Sequence, residues 1–216
     1  MKQRLHAPLR DGSPCRRFIR AAGRSALAAV VVILAGAGGC GLFETRTPEN
    51  PTAPSGGFTS ATEPLTVITN LQLAVEQRDV PNYVLCFSDG ATGVPAFTFV
   101  PSSEGAAQYA SLFQSWTITS EQEYFQNLTV RVKSTSTSGL VLTQKSQFFS
   151  SDSAQLEYDY ILTFEHTDPS FPTIARGNLR FTLGRNGNNI WSIYRWTDFK
   201  TTNDTTWSVF KGKFSN

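Results

Sequence analysis

The 216-residue sequence carries 19 Lys and Arg against 17 Asp and Glu, and 40% of its residues are hydrophobic. Seven of the basic residues and one acid lie within the first 24 positions, so residues 40–216 keep 12 basic and 16 acidic residues, a net charge of −4. Proteins that bind nucleic acid present clustered Lys and Arg. The acidic remainder of the chain therefore argues against a nucleic-acid partner.

Residues 1–39 have the order of an export signal. A basic stretch that ends at Arg24 is followed by an uncharged run over residues 25–39, which closes in small residues. That run is well short of the roughly 20 apolar residues that a membrane-spanning helix needs. We therefore predict a cleaved signal peptide. Arg16 and Arg17 resemble a twin-arginine signal, but the spacing is off by one residue, which favours the general secretory route.

The signal peptide ends in a candidate lipidation site. Residues Ala37 to Cys40, AGGC, resemble the lipobox of bacterial lipoproteins, although Leu is usual at the position of Ala37. Several acyl chains on Cys40 would anchor the protein durably, since one chain alone binds a membrane only marginally. Gly41, rather than Asp, follows Cys40, and by resemblance to known sorting rules this favours the outer membrane over retention at the inner membrane. We expect Cys40 to be residue one of an outer-membrane lipoprotein that faces the periplasm.

A tether and one domain follow the predicted anchor. Residues 40–57 include Pro48, Pro51 and Pro54 among polar residues, a composition typical of a semi-extended linker. Residues 58–216 are long enough for one ordinary domain. Once Cys15 has left and Cys40 is acylated, Cys86 is the remaining thiol. Its apolar surroundings predict a buried, unreactive side chain.

Helix signals dominate the first half of the domain. Ser60 and Glu63 match a capping box, and Pro64 suits the first turn of a helix. One face of that helix would carry Leu65, Ile68, Leu71 and Val75. Asp79 is predicted to cap a second helix, with Tyr83 on its apolar side. The stretch 97–100 predicts a strand, the stretch 106–116 is helical or irregular, and a second capping box pairs Ser120 with Glu123.

The second half of the domain alternates with a period of two. This pattern predicts strands near residues 128–135, 140–149, 154–166, 173–185 and 189–199. Tyr158 and Tyr160 share one face of their strand with aliphatic residues, whereas Glu157 and Asp159 lie on the other, so one face of the sheet should be covered. The Asn186-Gly187 pair predicts a tight hairpin. Lys200, Lys211 and Lys213 are predicted to be solvated surface charges.

Three segments carry a family resemblance: LAVEQRDVPNYVLCFSDG (73–90), FTFVPS (97–102) and WSIYRWTD (191–198). With WTITSEQEYFQNL (116–128) and TTWSVFKGKF (205–214), they resemble the nuclear transport factor 2-like superfamily, also called SnoaL-like. The resemblance implies an α+β fold in which N-terminal helices pack on a strongly curved antiparallel sheet, forming a cone around an apolar pocket. A lipocalin-like barrel or a β-sandwich is the structural alternative, which the helix signals before the sheet disfavour.

The resemblance allows either catalysis or binding. Its isomerases, dehydratases and polyketide cyclases need an acid and a base in a dry pocket. His166 continues the inward parity of its strand, but it lies where the strand gives way to a loop, so we expect a surface or loop-capping role. Asp198, at the end of the last strand, could face either way. The sequence shows no spacing of metal ligands and predicts no cofactor.

The remaining candidates are aromatic. Tyr83, Tyr158, Tyr160, Trp191 and Trp196 are predicted to line a ligand pocket, or else to fill the core. We therefore expect a lipid-anchored envelope protein without catalytic activity, whose domain binds an apolar small molecule, another envelope protein or a second copy of itself. The alternatives are an isomerase, dehydratase or cyclase that uses His166 or Asp198, and a structural spacer with no pocket.

Overall fold

The computed structural model describes residues 56–91, 93–132, 135–201 and 203–215. The predicted signal peptide, the lipidation site Cys40 and nearly all of the predicted tether lie outside these residues. The helices are α1 (Pro64–Gln77), α2 (Val80–Leu85), α3 (Ser103–Gln108), α4 (Ala110–Phe113), α5 (Ile118–Val130) and α6 (Trp207–Phe214). The strands are β1 (Thr98–Val100), β2 (Ser138–Phe149), β3 (Ser153–Phe164), β4 (Ile174–Arg185) and β5 (Trp191–Phe199).

The start of each of the first two helices is explained by the residues at its N-terminus. Pro64 opens α1, because its fixed φ suits the first helical turn and its missing N–H would have no partner there. Glu63 is the N-cap and makes no side-chain cap bond, so the predicted capping box at Ser60 is wrong by three residues. The Asp79 prediction is confirmed: its Oδ1 accepts a hydrogen bond from the Asn82 N–H at 3.0 Å and caps α2.

Helix α5 starts earlier and ends later than the sequence predicted. Thr117 is its N-cap, and the side chains of Thr117 and Ser120 each accept from the other's backbone N–H in a capping box. The predicted pairing of Ser120 with Glu123 is therefore wrong. The predicted strand over 128–135 is also wrong, since α5 continues to Val130 and buries Leu128. Apolar residues at 124, 125 and 128 follow the helical spacing, which outweighs the short alternation after them.

The sheet has the strand order β1-β5-β4-β3-β2. Pairs among β2 to β5 are antiparallel, as predicted, but β1 runs parallel to β5 with Phe99 opposite Trp196. The sheet is therefore mixed. A parallel pair requires a long crossover, which the chain between β1 and β5 supplies. The α+β class, with helices packed on one face of the sheet, is confirmed.

A bulge in β5 decides which of its residues face the core. The register between β4 and β5 shifts between Thr182 and Leu183, so β5 carries an extra residue at Tyr194. Buried positions therefore change from Trp191 and Ile193 to Trp196 and Asp198. One inserted residue inverts side-chain parity along the rest of a strand. Asp198, which the sequence left ambiguous, consequently points into the core.

The hairpin between β4 and β5 is present but is not a two-residue turn. Residues 186–190 connect the strands, and the Asn189 N–H donates to the Asn186 carbonyl at 3.0 Å. The left-handed conformation falls on Asn189, with φ 62°, a conformation that Asn tolerates better than most residues do. The Asn186-Gly187 pair therefore predicted the position of the hairpin correctly but not the length of its turn.

Candidate functional site

Helix α6 lies inside the domain rather than on its surface. It contacts α3, α5 and β4, and seven of its eight residues are buried: Trp207, Ser208, Val209, Phe210, Lys211, Gly212 and Phe214. A helix that is buried on every side is normally apolar all round. This helix carries Ser208 and Lys211 into the interior, so both side chains need partners there.

Lys211 and Glu121 form a fully buried ion pair. Both side chains have an exposed fraction of 0%, and the Lys211 ammonium donates to Glu121 Oε1. The same Oε1 accepts from the Tyr83 hydroxyl at 2.6 Å, and Oε2 accepts from the Trp116 indole N–H at 2.8 Å. Glu121 thus has three donors from three parts of the chain. The prediction that Lys211 is a solvated surface charge is wrong, because α6 turns this residue inward.

Five aromatic rings surround the Lys211 ammonium, and together with the Glu121 carboxylate we call them the ammonium cage. The Nζ atom lies 4.0 Å from the ring centre of Trp196, 4.6 Å from Phe99, 4.8 Å from Tyr124, 5.4 Å from Trp116 and 5.9 Å from Trp207. A cation within about 6 Å of a ring centre is attracted by the negative face of the ring, most strongly where water is excluded.

A second buried acid, Asp198, holds the first turn of α6. Its Oδ1 accepts from the Tyr160 hydroxyl at 2.9 Å, and its Oδ2 accepts from the Ser208 N–H at 2.8 Å and the Ser208 hydroxyl at 2.5 Å. The Tyr160 hydroxyl in turn accepts from the Trp207 N–H at 2.7 Å. Gly177 makes room for this arrangement, since a Cβ there would lie 2.8 Å from the Tyr160 oxygen. These bonds fix the entry of α6 into the interior.

Burial shifts the pKa values of these groups. Loss of solvation lowers the pKa of Lys211 from 10.5 to about 8, although Glu121 and Asp198 oppose that shift. Burial raises the pKa of Asp198, against the opposing hydrogen bonds from Ser208 and Tyr160. It also raises the pKa of Tyr83 and Tyr160 well above the usual value, because a buried phenolate would lack solvation.

The structure divides the predicted aromatic residues into three groups. Trp196 belongs to the ammonium cage and Tyr83 donates to the Glu121 carboxylate of that cage, while Tyr160 belongs to the Asp198 network. Tyr158 and Trp191 are buried elsewhere in the core. The backbone N–H of Trp191 donates to the Ala61 carbonyl at 2.8 Å. All five contribute to packing. Whether any of them contacts a ligand stays a prediction.

His166 is buried, so the expected surface role is wrong, whereas the alternative of a loop-capping role stays open. Its side chain and backbone together are 8% exposed, because Phe171 and α6 cover it. Its ring centre lies 5.0 Å from that of Phe214 and 5.8 Å from that of Phe171, and Nε2 lies 2.9 Å from the Pro172 carbonyl oxygen. His166 therefore contacts the second half of α6, whereas Asp198 contacts its first turn.

Sequence reasoning missed Glu121, Lys211 and the rings that join them. One signal could have found Glu121: it stands three and four residues before Tyr124 and Phe125, which places it on the buried face of α5. A second signal is the composition of α6, where apolar residues on all sides predict a buried helix and hence a buried Lys211. Nothing local marks Phe99 as a partner, because its approach to Lys211 depends on tertiary contacts.

The surface of the domain also carries clefts. One apolar cleft of about 480 Å³ is lined in part by Phe58, Val67, Leu85 and Cys86.

Burial of Cys86 is confirmed, and it raises the pKa of the thiol to about 12. The lack of reactivity stays a prediction. Within the described ranges, no three His, Cys, Asp or Glu side chains gather as a metal site.

Comparisons with known proteins returned structural likeness only. No family model matches the chain, and no curated protein matches its sequence. Similar structures include a candidate aromatic ring hydroxylase from Novosphingobium aromaticivorans, at 15% identity over 64% of this chain and 86% of that one, with a TM-score of 0.47.

Two further structures cover the same share of this chain, 64%. A ketosteroid isomerase-like protein from Erwinia carotovora atroseptica has 12% identity, 93% coverage of that chain and a TM-score of 0.45. A nuclear transport factor 2-like protein of unknown function from Pseudomonas putida has 12% identity, 84% coverage and a TM-score of 0.43. At such identities the likeness concerns the fold alone.

Removing the carboxylate of the buried pair should cost much stability. We expect Glu121→Gln to lower the free energy of unfolding by about 3–5 kcal/mol, because it leaves the Lys211 charge buried without an anion. Adding Lys211→Met should recover much of that loss, since the uncompensated charge is then gone. Urea denaturation of the wild type and of both variants measures these changes.

The matched control is the partly exposed ion pair between Lys213, which is also on α6, and Asp168 of the loop between β3 and β4, at 2.9 Å. Asp168→Asn should change the free energy of unfolding far less than Glu121→Gln does, because partly exposed ion pairs contribute little to stability. Equal losses in Glu121→Gln and Asp168→Asn would contradict the buried ion pair.

Stability should rise with pH in the alkaline range. The folded-state pKa of Lys211 is about 8 and its ordinary value is 10.5, so between these values the unfolded chain binds more protons and the free energy of unfolding increases. Above pH 10 the raised pKa values of Tyr83 and Tyr160 act in the opposite direction. Urea titrations from pH 7.5 to 9.5 should show the rise in wild type and in Lys213→Met, and a flatter profile in Lys211→Met. Identical stability profiles in all three proteins would contradict the assignment of this pH dependence to Lys211.

Proposed function

We propose that this protein is a non-catalytic binding protein of the bacterial cell envelope, held at the membrane by lipid on Cys40, whose domain binds a protein partner through its sheet. One observation carries the non-catalytic part: the buried acids Glu121 and Asp198 and the buried lysine Lys211 are occupied by one another and by other groups of the interior. Glu121 pairs with Lys211, and both oxygens of Asp198 accept hydrogen bonds from Tyr160 and Ser208.

Occupied groups are poorly placed for proton transfer. A general acid or base must come within hydrogen-bond reach of the proton that it moves, directly or through one water. In this interior a substrate would have to displace α6 before it met either carboxylate, because Ser208 and Lys211 are the groups that lie against them. Holding a helix in place is a sufficient account of both acids.

Several features of the sheet favour a protein partner over an apolar small molecule. Helix α6 and the ammonium cage fill the interior, where a small ligand would otherwise lie. On the outside, β2 forms one edge of the sheet, and Phe148 near its end is 67% exposed. Val141 and Ile161 stand opposite each other on the outer face and are also exposed. Exposed edge strands and apolar patches are common sites of protein association.

The proposed anchor rests on the sequence. The AGGC stretch at residues 37–40 follows a basic leader and a short apolar run, and a tether of Pro-rich composition links Cys40 to the domain. Among the helices in the described part of the chain, none is both long enough and apolar enough to cross a bilayer. An acylated cysteine would supply the attachment instead, at the outer membrane on the periplasmic side.

An isomerase, dehydratase or cyclase is the second candidate. Asp198 favours it, because burial raises the pKa of its carboxyl and a tyrosine hydroxyl lies 2.9 Å away, a combination that also occurs in catalytic pockets. His166 is the other residue that such an enzyme could use, since it is buried beside α6. Loss of turnover in Asp198→Asn or His166→Gln, with the fold intact, would favour this candidate.

Lipidation is tested on the full chain expressed with its own leader. We expect mass spectrometry of the purified protein to find Cys40 as the N-terminal residue, carrying acyl chains, because the small residues before it form the cleavage site. Cys40→Ala should accumulate as the unprocessed precursor, whereas Cys15→Ala should be processed normally. An unmodified Cys40 in the wild-type protein would contradict the proposed anchor.

Partner binding is tested by photo-crosslinking in the intact cell envelope. We expect benzoylphenylalanine placed at Phe148 to form one discrete crosslinked product with a second protein chain, because that side chain projects from the sheet edge. The same probe at Leu85 or Val130, which are 75% and 74% exposed on the helices, supplies the matched controls. Phe148→Ser should then abolish the crosslink made by a probe at Phe149.

The outcomes separate the candidates. A crosslink to another envelope protein supports the proposed function, and a crosslink between copies of this chain identifies the partner as the chain itself. Equal crosslinking from the probes at positions 148, 149, 85 and 130, or no crosslink from the probe at Phe148, would contradict the proposed function. Turnover of isomerase, dehydratase or cyclase substrates by wild type, lost in Asp198→Asn, would favour the enzyme.

A further inference from the structure

Most of the ammonium cage is built by parts of the chain other than the helix that carries Lys211. Phe99 comes from β1, Trp196 from β5, Tyr124 from α5 and Trp116 from the segment before α5. Only Trp207 belongs to α6. Four of the five rings, together with the carboxylate of Glu121, therefore form a receptor into which α6 places a single ammonium group.

Contacts that do not involve Lys211 hold this receptor in shape. Tyr83 and Trp116 donate to the two oxygens of Glu121 and so fix the plane of the carboxylate. The rings of Phe99 and Trp196 meet edge to face at 5.4 Å, and those of Phe99 and Trp116 lie 5.8 Å apart. Preorganised groups bind a ligand at lower cost, because they need no ordering when it arrives.

The composition of the cage matches one chemical class. Several aromatic faces around one carboxylate attract a compact cation, and proteins that recognise organic ammonium ions use such aromatic boxes. A purely structural interior would not need this arrangement, since well-packed apolar side chains commonly replace a buried ion pair without loss of stability. The other end of the lysine side chain is four methylenes, which the apolar surroundings accept.

We propose that the interior of this domain is a binding site for a primary alkylammonium group, and that Lys211 of α6 is the ligand that fills it in cis. The proposal does not depend on the lipid anchor or on a protein partner. In this proposal the cage recognises the ammonium group, and α6 supplies the group that occupies it. A small alkylammonium ion should therefore enter the site when the lysine side chain is removed.

The test is rescue of Lys211→Ala by n-propylammonium, which replaces the deleted atoms from Cγ to Nζ. Buried cavities of this kind admit small ligands. At amine concentrations tenfold above Kd, we expect the Tm of Lys211→Ala to rise by about 3–6 °C. n-Propanol at equal concentration, with sodium chloride to match ionic strength, should give a much smaller rise because it lacks the charge.

Two further variants make the comparison specific. Lys213→Ala, on the same helix but half exposed, should show no difference between amine and alcohol. Lys211→Ala combined with Glu121→Gln should lose the preference for the amine, because the anion of the cage is gone. The proposal is overturned if amine and alcohol stabilise Lys211→Ala equally, or if the amine acts equally on Lys213→Ala.

The proposal can still be tested if Lys211→Ala does not fold in the absence of amine. If Lys211→Ala is recovered unfolded, it is refolded in n-propylammonium chloride and, in parallel, in n-propanol with sodium chloride. Recovery of near-ultraviolet circular dichroism in the amine alone supports the proposal. Refolding in both solvents alike, or in neither, overturns it, because the amine then has no specific place in the interior.

Discussion

The buried pair between Lys211 and Glu121 is the constraint on which the interior of this domain depends. A charge transferred from water into protein costs several kcal/mol unless it is paired and hydrogen-bonded. Glu121 meets that requirement with the Lys211 ammonium and two further donors, and Lys211 meets it with one carboxylate and five aromatic faces. Each partner is thus tolerable only in the presence of the other, which ties α6 to α5.

The remaining polar contacts of α6 follow from that requirement. The helix must enter the interior at a fixed angle for Lys211 to reach Glu121, and Asp198 sets that entry by accepting two hydrogen bonds from Ser208. Asp198 itself faces inward because of the bulge at Tyr194. A single extra residue in β5 therefore connects sheet register to helix placement. The exposed edge of β2 is where we propose that a partner binds.

Patterns of local origin were predictable from the sequence. The alternation through Tyr158 and Tyr160, the Asp79 cap and the order of helices before sheet all depend on neighbours along the chain, and the structure confirms them. The interior charges were not predictable in the same way. Lys211 looks like a surface residue until the whole of α6 is recognised as buried.

The missed features share a long-range origin. Lys211 and Glu121 are 90 residues apart, and the parallel pairing of β1 with β5 joins residues almost 100 positions apart. No periodicity within a window of ten to twenty residues reports such contacts. The bulge at Tyr194 is local, but its effect on Asp198 appears only once the register with β4 is known.

The most direct measurement is the nuclear magnetic resonance signal of the Lys211 side chain in the folded domain. Protons that lie over aromatic faces resonate upfield, and ammonium protons shielded from water exchange slowly. The account predicts strongly upfield ε-methylene protons for Lys211, with contacts to the ring of Trp196, while those of Lys213 stay near the values of a free lysine. Lys211 resonances that match those of Lys213, with rapid ammonium exchange, would contradict a buried, caged ammonium.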